Sequence, residues 1–525
     1  MGGPKPGLAL RRSVAFRQAP HTVPLIDNSR VSSTSLAALL VAQTLVSFAS
    51  NAAKMLVLAL ALVPGVLPAG AVNEWLAVLP VALAAPYVFL SPLFAWFADR
   101  FSTRTVLSVS ILLLLALLGL LAFALHERSV PLTVSAFLLL AVHSALVSPS
   151  KRAMLREVAP PEKYGASVLL LEMLTLTAIV AGAYLGARAL DAAGLAGDVE
   201  LGWVAAEHLT CVLPLVAAFA LVAFLPTRPT AAREAGRPPQ ELITRPINHL
   251  FELLRTARLR TSALGILFFH MLGGAAILVL IDAGRGWATQ HPGTVSVTGL
   301  AAVLLLFAGA GALAGNFIAG VVSRGRSENG LVPFGAAGMA VAAWWASANT
   351  LDAPAFRPAL VLLGFSAGIY LAPLNIYFQH RVSRPRRTRM GGALNLFRGV
   401  GGLAAGGLYF LMAAVLHWPL SWQLGGLAVA AALVAVLAVW LAPEHLLLLL
   451  FRALCRVLYR LRIHGLVNLP TGGALIVSNH ISYVDALILQ VVFPRKLWFL
   501  AVHGRRRRGL PLWFHRITGV IPLSS

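Results

Sequence analysis

TRPTAAREAGRPPQELITRPINHLFELLRTARLR, residues 227–260, is the longest polar break in this chain and carries seven arginines and four prolines. Prolines and polar residues in such density mark a connection between structured units. Apolar runs lie on either side of it, near residues 34–65, 73–97, 104–125, 130–149, 165–190 and 206–225, then 261–283, 295–322, 331–350, 356–379, 391–415 and 420–442. Each is long enough, at about 1.5 Å per helical residue, to cross a hydrocarbon core of roughly 30 Å. The break therefore predicts a cytoplasmic linker, 226–260, between two six-helix bundles, 34–225 and 261–442.

Composition agrees: of 525 residues, 58% are hydrophobic and 12% charged, which excludes an ordinary soluble domain. The net charge of +23 is carried in short clusters between apolar runs, not in one stripe with interleaved aromatics, so nucleic acid is not indicated. Lysine and arginine outside the runs and before Glu444 number twenty-five on the side of the N-terminus and the even loops, against four (Arg128, Arg188, Arg285, Arg357) on the other. The positive-inside rule then places both termini in the cytoplasm. Residues 1–33 are basic and show no removable signal peptide. Cys211 and Cys455, the two cysteines, read as packing residues, and no metal site is expected.

Six helices on each side of a central linker is the plan of the major facilitator superfamily. Ala98-Asp99-Arg100 with Arg104, and Gly320 with Ser323-Arg324 and Arg326, resemble that family's loop motif after the second helix of each half. In the family, its acid and bases tie helix ends together in one conformation and release them in the other. Ala95 stands where the motif has glycine, and the plainer reading of the loop is a positive-inside signal.

Ionisable and strongly polar groups inside membrane helices are functional candidates by default. Gln43, Ser47, Asn51 and Lys54 follow one another at steps of four, four and three, on one face of the first helix. That face either lines a cavity or packs helices by hydrogen bonding, with Lys54 snorkelling. Glu172, in the fifth run, pairs with Lys54, contacts substrate, or packs as a neutral group. His143, His270 and His380 are isolated and read as satisfied core residues.

Three stretches carry a narrower resemblance, to the lysophospholipid transporter branch of the superfamily, over most of residues 38–400. They are Gln43 to Lys54, in which Phe48, Asn51 and Lys54 match; Ser148-Pro149-Ser150-Lys151 with Glu157, Pro160 and Glu172; and Pro373-Leu374-Asn375 with Gln379-His380-Arg381 and Asn395. The resemblance implies a lysophospholipid substrate, such as lysophosphatidylethanolamine, carried to the inner leaflet of a bacterial inner membrane. Ala49-Ser50 replaces the branch's Asn-Asp, so the acid that the branch carries there is absent.

Beyond the last run, residues 443–464 read as a basic amphipathic helix with Arg452, Arg456 and Arg460 at steps of four, suited to an anionic membrane surface. Gly473 to Ser478 is an apolar run of strand length that delivers Asn479-His480-Ile481-Ser482-Tyr483-Val484-Asp485. Five helical residues turn about 140°, so His480 and Asp485 can meet only if His480 precedes the helix. With Ser482 as N-cap, Asp485 falls in the first turn, where its carboxylate can orient the imidazole as a general base. Ser482 and Asp485 also suffice for a plain capping box.

Together with Gly465-Leu466-Val467-Asn468-Leu469-Pro470, this motif resembles the glycerolipid acyltransferases. There the histidine deprotonates an acceptor hydroxyl, the aspartate orients the histidine, and acyl-CoA or acyl carrier protein donates the chain. Gly519 to Leu523 resembles the family's second block, and Arg505 to Arg508 either attract anionic partners or form a solvated patch. About 80 residues follow the last run, so residues 465–525 are expected to begin an α/β acyltransferase domain without completing its site.

The reading is thus an all-α polytopic transporter of twelve helices joined to the start of an acyltransferase, with no cofactor bound. Two alternatives stay open: an acyltransferase anchored by a degenerate transporter, and an exporter of another amphiphile.

Overall fold

The structure, a computed structural model, describes residues 33–63, 65–68, 71–90, 93–94, 97, 101–160, 164–196, 198–227, 248, 250–291, 296–323, 328–382, 387–458, 473–479, 485–493, 497–502 and 520–523. Its first half contains α1 (Ser33–Ala61), α2 (Ala71–Phe89), α3 (Thr103–His126), α4 (Val130–Val158), α5 (Tyr164–Arg188), a short helix Asp191–Ala196, and α6 (Val199–Phe224). The second contains α7 (Ala257–Gln290), α8 (Val297–Ser323), α9 (Leu331–Ser347), α10 (Phe356–Arg381), α11 (Arg387–Phe410), ending in a π turn at Leu411–Val415, and α12 (Leu420–Leu441). Ten helices among the described residues are long and apolar enough to span a membrane; α9 is apolar but shorter.

These runs are helical because a lipid-exposed backbone must satisfy its own hydrogen bonds. Polar side chains inside them obey the same constraint: Thr44, Thr133 and Thr210 each donate to the carbonyl four residues back, at 2.7, 2.9 and 2.8 Å. Two of the helix starts are capped by side chains. Ser102 accepts from the Thr105 N–H at the start of α3, and Asp198 accepts from Glu200 and Leu201 at the start of α6.

Packing repeats between the halves. Within the first, α1 packs on α4, α5 and α6, α3 on α4 and α6, and α2 on α4; adding six to every number gives pairs that pack in the second. The two bundles meet through α2 with α11 and through α5 with α8, which the same operation exchanges. Each half has its own apolar core, one around Leu56, Leu114 and Phe137, the other around Ile266, Phe356 and Tyr370. The α8–α10 seam is set by glycines on both sides. A Cβ at Gly311 or Gly315 would meet the backbone of Val361 or Phe365, and one at Gly364 or Gly368 would meet that of Ala308 or Ala312.

At the loop ends, Arg104 donates to Thr227 Oγ1 (3.3 Å) and the Leu225 carbonyl (3.2 Å), tying the start of α3 to the end of α6 within one bundle. Asp99, Arg100, Arg324 and Arg326, the rest of the loop motif, lie outside the described residues.

After α12 the chain turns into α13 (Pro443–Leu458), which docks on the second bundle. Arg452 reaches both carboxylate oxygens of Glu328 at 2.5 Å, and His445 meets the Tyr377 ring edge-on. Leu450, Leu454 and Val457 stay exposed along the opposite stripe. The short helix α14 (Asp485–Val492) packs on α13, and β1 (Phe499–Val502) pairs in parallel with β2 (Val520–Leu523), Phe499 opposite Val520.

One expectation fails in this segment. Residues 473–479 form neither strand nor helix, and Leu475 and Val477 are 83% and 87% exposed. A strand exists through pairing, and β1 and β2, the two strands among the described residues, pair with each other instead.

Candidate functional site

A cavity of about 870 Å³ lies between the bundles, its wall drawn from α1, α2, α4 and α5 and from α7 to α12. Most of the lining is apolar, but it includes four cations, Lys54, Lys151, Arg152 and Arg398, and one acid, Glu172.

The α1 face lines this cavity as its spacing implies. Gln43, Ser47, Asn51 and Lys54 all contribute. Gln43 is buried with Nε2 lacking a partner, whereas Asn51 turns its amide back to the Ser47 carbonyl at 2.7 Å. Lys54 Nζ donates to Ser144 Oγ on α4 at 2.8 Å, and Ser144 in turn donates to the Leu140 carbonyl.

Lys54 and Glu172 are not partners. Glu172 accepts from Arg152 Nη2 at 3.1 Å, with side chains 29% and 15% exposed. Lys151 and Arg398 add their positive fields at the same carboxylate. Arg398, from the other bundle, donates to Asn375 Oδ1 at 2.9 Å and Asn395 Oδ1 at 3.3 Å, while its buried Nε has no partner. Asn395 Oδ1 also accepts from Ser148 Oγ at 3.3 Å, a hydrogen bond that joins α4 to α11. All three stretches singled out in the sequence thus meet around one space.

The cations stand at two levels. Ser144, which holds Lys54, and Arg152 are eight residues apart on α4, about 12 Å along the helix axis. An anionic group entering the cavity therefore finds one lysine at one level and a lysine with two arginines, one from each bundle, at the other. A guanidinium fork matches a phosphate or carboxylate, and burial away from bulk water strengthens the match.

Sequence reasoning missed Arg398 and Arg152. Arg398 lies inside the eleventh apolar run, where the rule applied to Lys54 would have flagged it. Arg152 was counted as a loop charge because α4 runs on to Val158, well past the end of its apolar stretch near 149. Among the histidines, His143 and His270 line the cavity, but His143 is 1% exposed and bonded through Nε2 to the Ser110 carbonyl at 2.8 Å, as a packing residue would be. The side chain of His380 lies outside the described residues.

In the C-terminal segment, Asp485 opens the described part of α14, and His480 and Ser482 lie outside the described residues. No cluster of potential metal ligands occurs among the described residues.

Two bundles related by a repeat of six helices around a central cavity define a class, and the family model of the Major Facilitator Superfamily matches residues 39–406. The chain belongs to that superfamily. More particularly, it is 28% identical over 375 residues to the lysophospholipid transporter LplT of Klebsiella pneumoniae (strain 342), covering 69% of this chain and 86% of that protein. Against the lysophospholipid transporter LplT of Serratia proteamaculans (strain 568) it is 27% identical over 362 residues, 68% of this chain and 83% of that one. Residues 460–525 match the Acyltransferase family model. In fold it is similar to a crystal structure of the Major Facilitator Superfamily transporter FucP in the outward conformation (TM-score 0.60, 13% identity, 78% of this chain and 99% of that one). A D-xylose-proton symporter is similar too (TM-score 0.54, 18% identity, 77% and 96%).

Proposed function

We propose that this protein carries lysophospholipids from the outer to the inner leaflet of a bacterial inner membrane, and that its C-terminal segment belongs to an acyltransferase that reacylates them. The observation that carries the reading is the cavity's charge: four cations and one acid in a mostly apolar wall. Cations inside a membrane are expensive unless they meet a counter-ion. A lysophospholipid supplies a phosphate for them and one acyl chain for the apolar wall. The volume lies at the upper end of ordinary ligand pockets, roughly 300–1,000 Å³.

In this reading α2 and α9 complete twelve crossings, and the N-terminus, linker and C-terminal segment face the cytoplasm. Gln43, Asn51, Lys54 and Glu172 serve the transport cavity. Asp99, Arg100 and Arg104, with Arg324 and Arg326, form the conformational loop motif. His480 acts as general base, Asp485 orients it, and acyl-CoA or acyl carrier protein donates the chain. Product of the first activity would emerge where the second takes it up.

The test is uptake of lysophosphatidylethanolamine by proteoliposomes holding the full chain. Saturable uptake that falls in Lys54→Met and Arg398→Gln supports the proposal. Uptake equal to that of protein-free vesicles, or unchanged in both variants, refutes it.

A further inference from the structure

We infer that Arg152 and Arg398, one from each bundle, form the seat for the substrate's phosphate, and that the Glu172 carboxylate occupies this seat in the empty transporter and must be displaced on loading. The inference deepens the lysophospholipid reading and rests on it.

Glu172 is the one acid among the described residues lining the cavity, and it is held by Arg152 through a single oxygen at 3.1 Å. Across the bundle boundary Arg398 is bonded to two neutral amides, Asn375 and Asn395, and carries a buried Nε with no partner. One carboxylate thus answers Arg152 by direct contact and Arg398 and Lys151 only through its field. That arrangement is tolerable when empty, because some counter-charge is present, and unsatisfied enough to draw a second anion. A partly buried cation left uncompensated is costly, so each arginine gains by a better partner.

A phosphate presents more acceptor oxygens than Glu172 does and can be held by both forks at once. Because those forks belong to different bundles, loading would also join α4 to α11 more tightly than the Ser148–Asn395 hydrogen bond does alone. The displaced carboxylate then faces the rest of the headgroup. It suits the ammonium of an ethanolamine headgroup and gains nothing from a glycerol one. Glu172 therefore works as an internal competitor, lowering apparent affinity by the fraction of time it holds Arg152.

The experiment measures initial uptake of lysophosphatidylglycerol and lysophosphatidylethanolamine by full-chain proteoliposomes. Glu172→Gln, nearly isosteric, should lower KM for lysophosphatidylglycerol about tenfold if the pair is closed nine-tenths of the time, and should lower it less for lysophosphatidylethanolamine. Arg152→Lys, which keeps the charge and loses the fork, should raise KM severalfold for both. In the Arg152→Ala background the effect of Glu172→Gln should vanish. KM unchanged or raised in Glu172→Gln, or lowered equally without Arg152, overturns the inference while leaving lysophospholipid transport standing. If the wild type takes up neither lipid, the transport reading fails by itself. Calorimetry of inorganic phosphate on the detergent-solubilised chain then decides the seat: tighter binding to Glu172→Gln than to wild type sustains it, and equal binding overturns it.

Discussion

Asp191 sits on the side opposite the linker, in the short helix between α5 and α6, and reaches across to the first turn of α8. Ser296 Oγ donates to its Oδ1 at 2.5 Å, Thr298 Oγ1 donates to the same oxygen at 3.1 Å, and Arg188 pairs with Oδ2. This is a latch between bundles. Alanine at 191 removes two hydrogen bonds to a charged acceptor, each worth about 1.5–3 kcal/mol, and a carboxylate at a helix N-terminus, worth about 0.3–1 kcal/mol. The Arg188 pair lies within one bundle and cancels between states. Water replaces part of the loss once the latch opens, so the contact between bundles on this side should weaken by about 2–4 kcal/mol, roughly 30- to 1,000-fold in population. Spin labels on exposed Ala192 and Gln290, in a chain with Cys211 and Cys455 replaced, report the gap by electron–electron resonance. Asp191→Ala should move the distance distribution outward. Asp191→Asn, which keeps an acceptor oxygen, should fall between. Gly299→Ala should imitate Asp191→Ala, because its Cβ would press on the Asp191 carboxylate and on Ser296 Oγ. An unchanged distribution in Asp191→Ala would refute the latch.

Lys54→Met should cut lysophospholipid uptake at least tenfold, whereas Ser144→Ala, which removes only the hydroxyl at 2.8 Å from Nζ, should cost threefold or less; equal losses would show that the serine, not the charge, matters. Gly364→Val should overpack the α8–α10 seam by about 1–3 kcal/mol or more and lower the melting temperature followed by tryptophan fluorescence. Gly425→Ala on α12, where a Cβ meets nothing within 4 Å, should leave that temperature unchanged. Arg452→Ala should loosen α13 from the second bundle, seen as faster hydrogen exchange over residues 443–458, and the exchanged pair Arg452→Glu with Glu328→Arg should restore protection in part.

Most of the architecture was legible because membrane helices announce themselves: no backbone can cross lipid unpaired, so apolar length alone finds them. Their ends were less legible. Helices α4 and α7 continue well past their apolar stretches, to Val158 and Gln290, because polar helix is cheap once it leaves the lipid. The α1 residues were legible as one face, since a step of four, four and three keeps them together on a helix, and that face borders the cavity. Its partner was not, because spacing along one helix says nothing about which neighbour faces it, and Lys54 met Ser144 while Glu172 met Arg152. The Gly473–Ser478 run misled for a similar reason: β pairing is a relation between distant segments, and apolarity records only one of them.

The repeat of six helices also explains why the seat takes one acid and not two. Arg152 on α4 is held by Glu172 on α5, and Arg398 on α11 is held by Asn375 on α10. These are equivalent helix pairs, each supplying one arginine and one acceptor, with the roles exchanged between them. The packing obeys the repeat while the acceptors break it: carboxylate in one half, amide in the other. Two carboxylates would neutralise both arginines and leave only Lys151 for a phosphate. Two amides would leave Lys151 and both arginines with no counter-charge in the empty state, in surroundings where that is heavily penalised. One carboxylate keeps the unloaded site bearable and leaves positive charge from Lys151 and the arginines unanswered, which an anionic phosphate entering the cavity would meet.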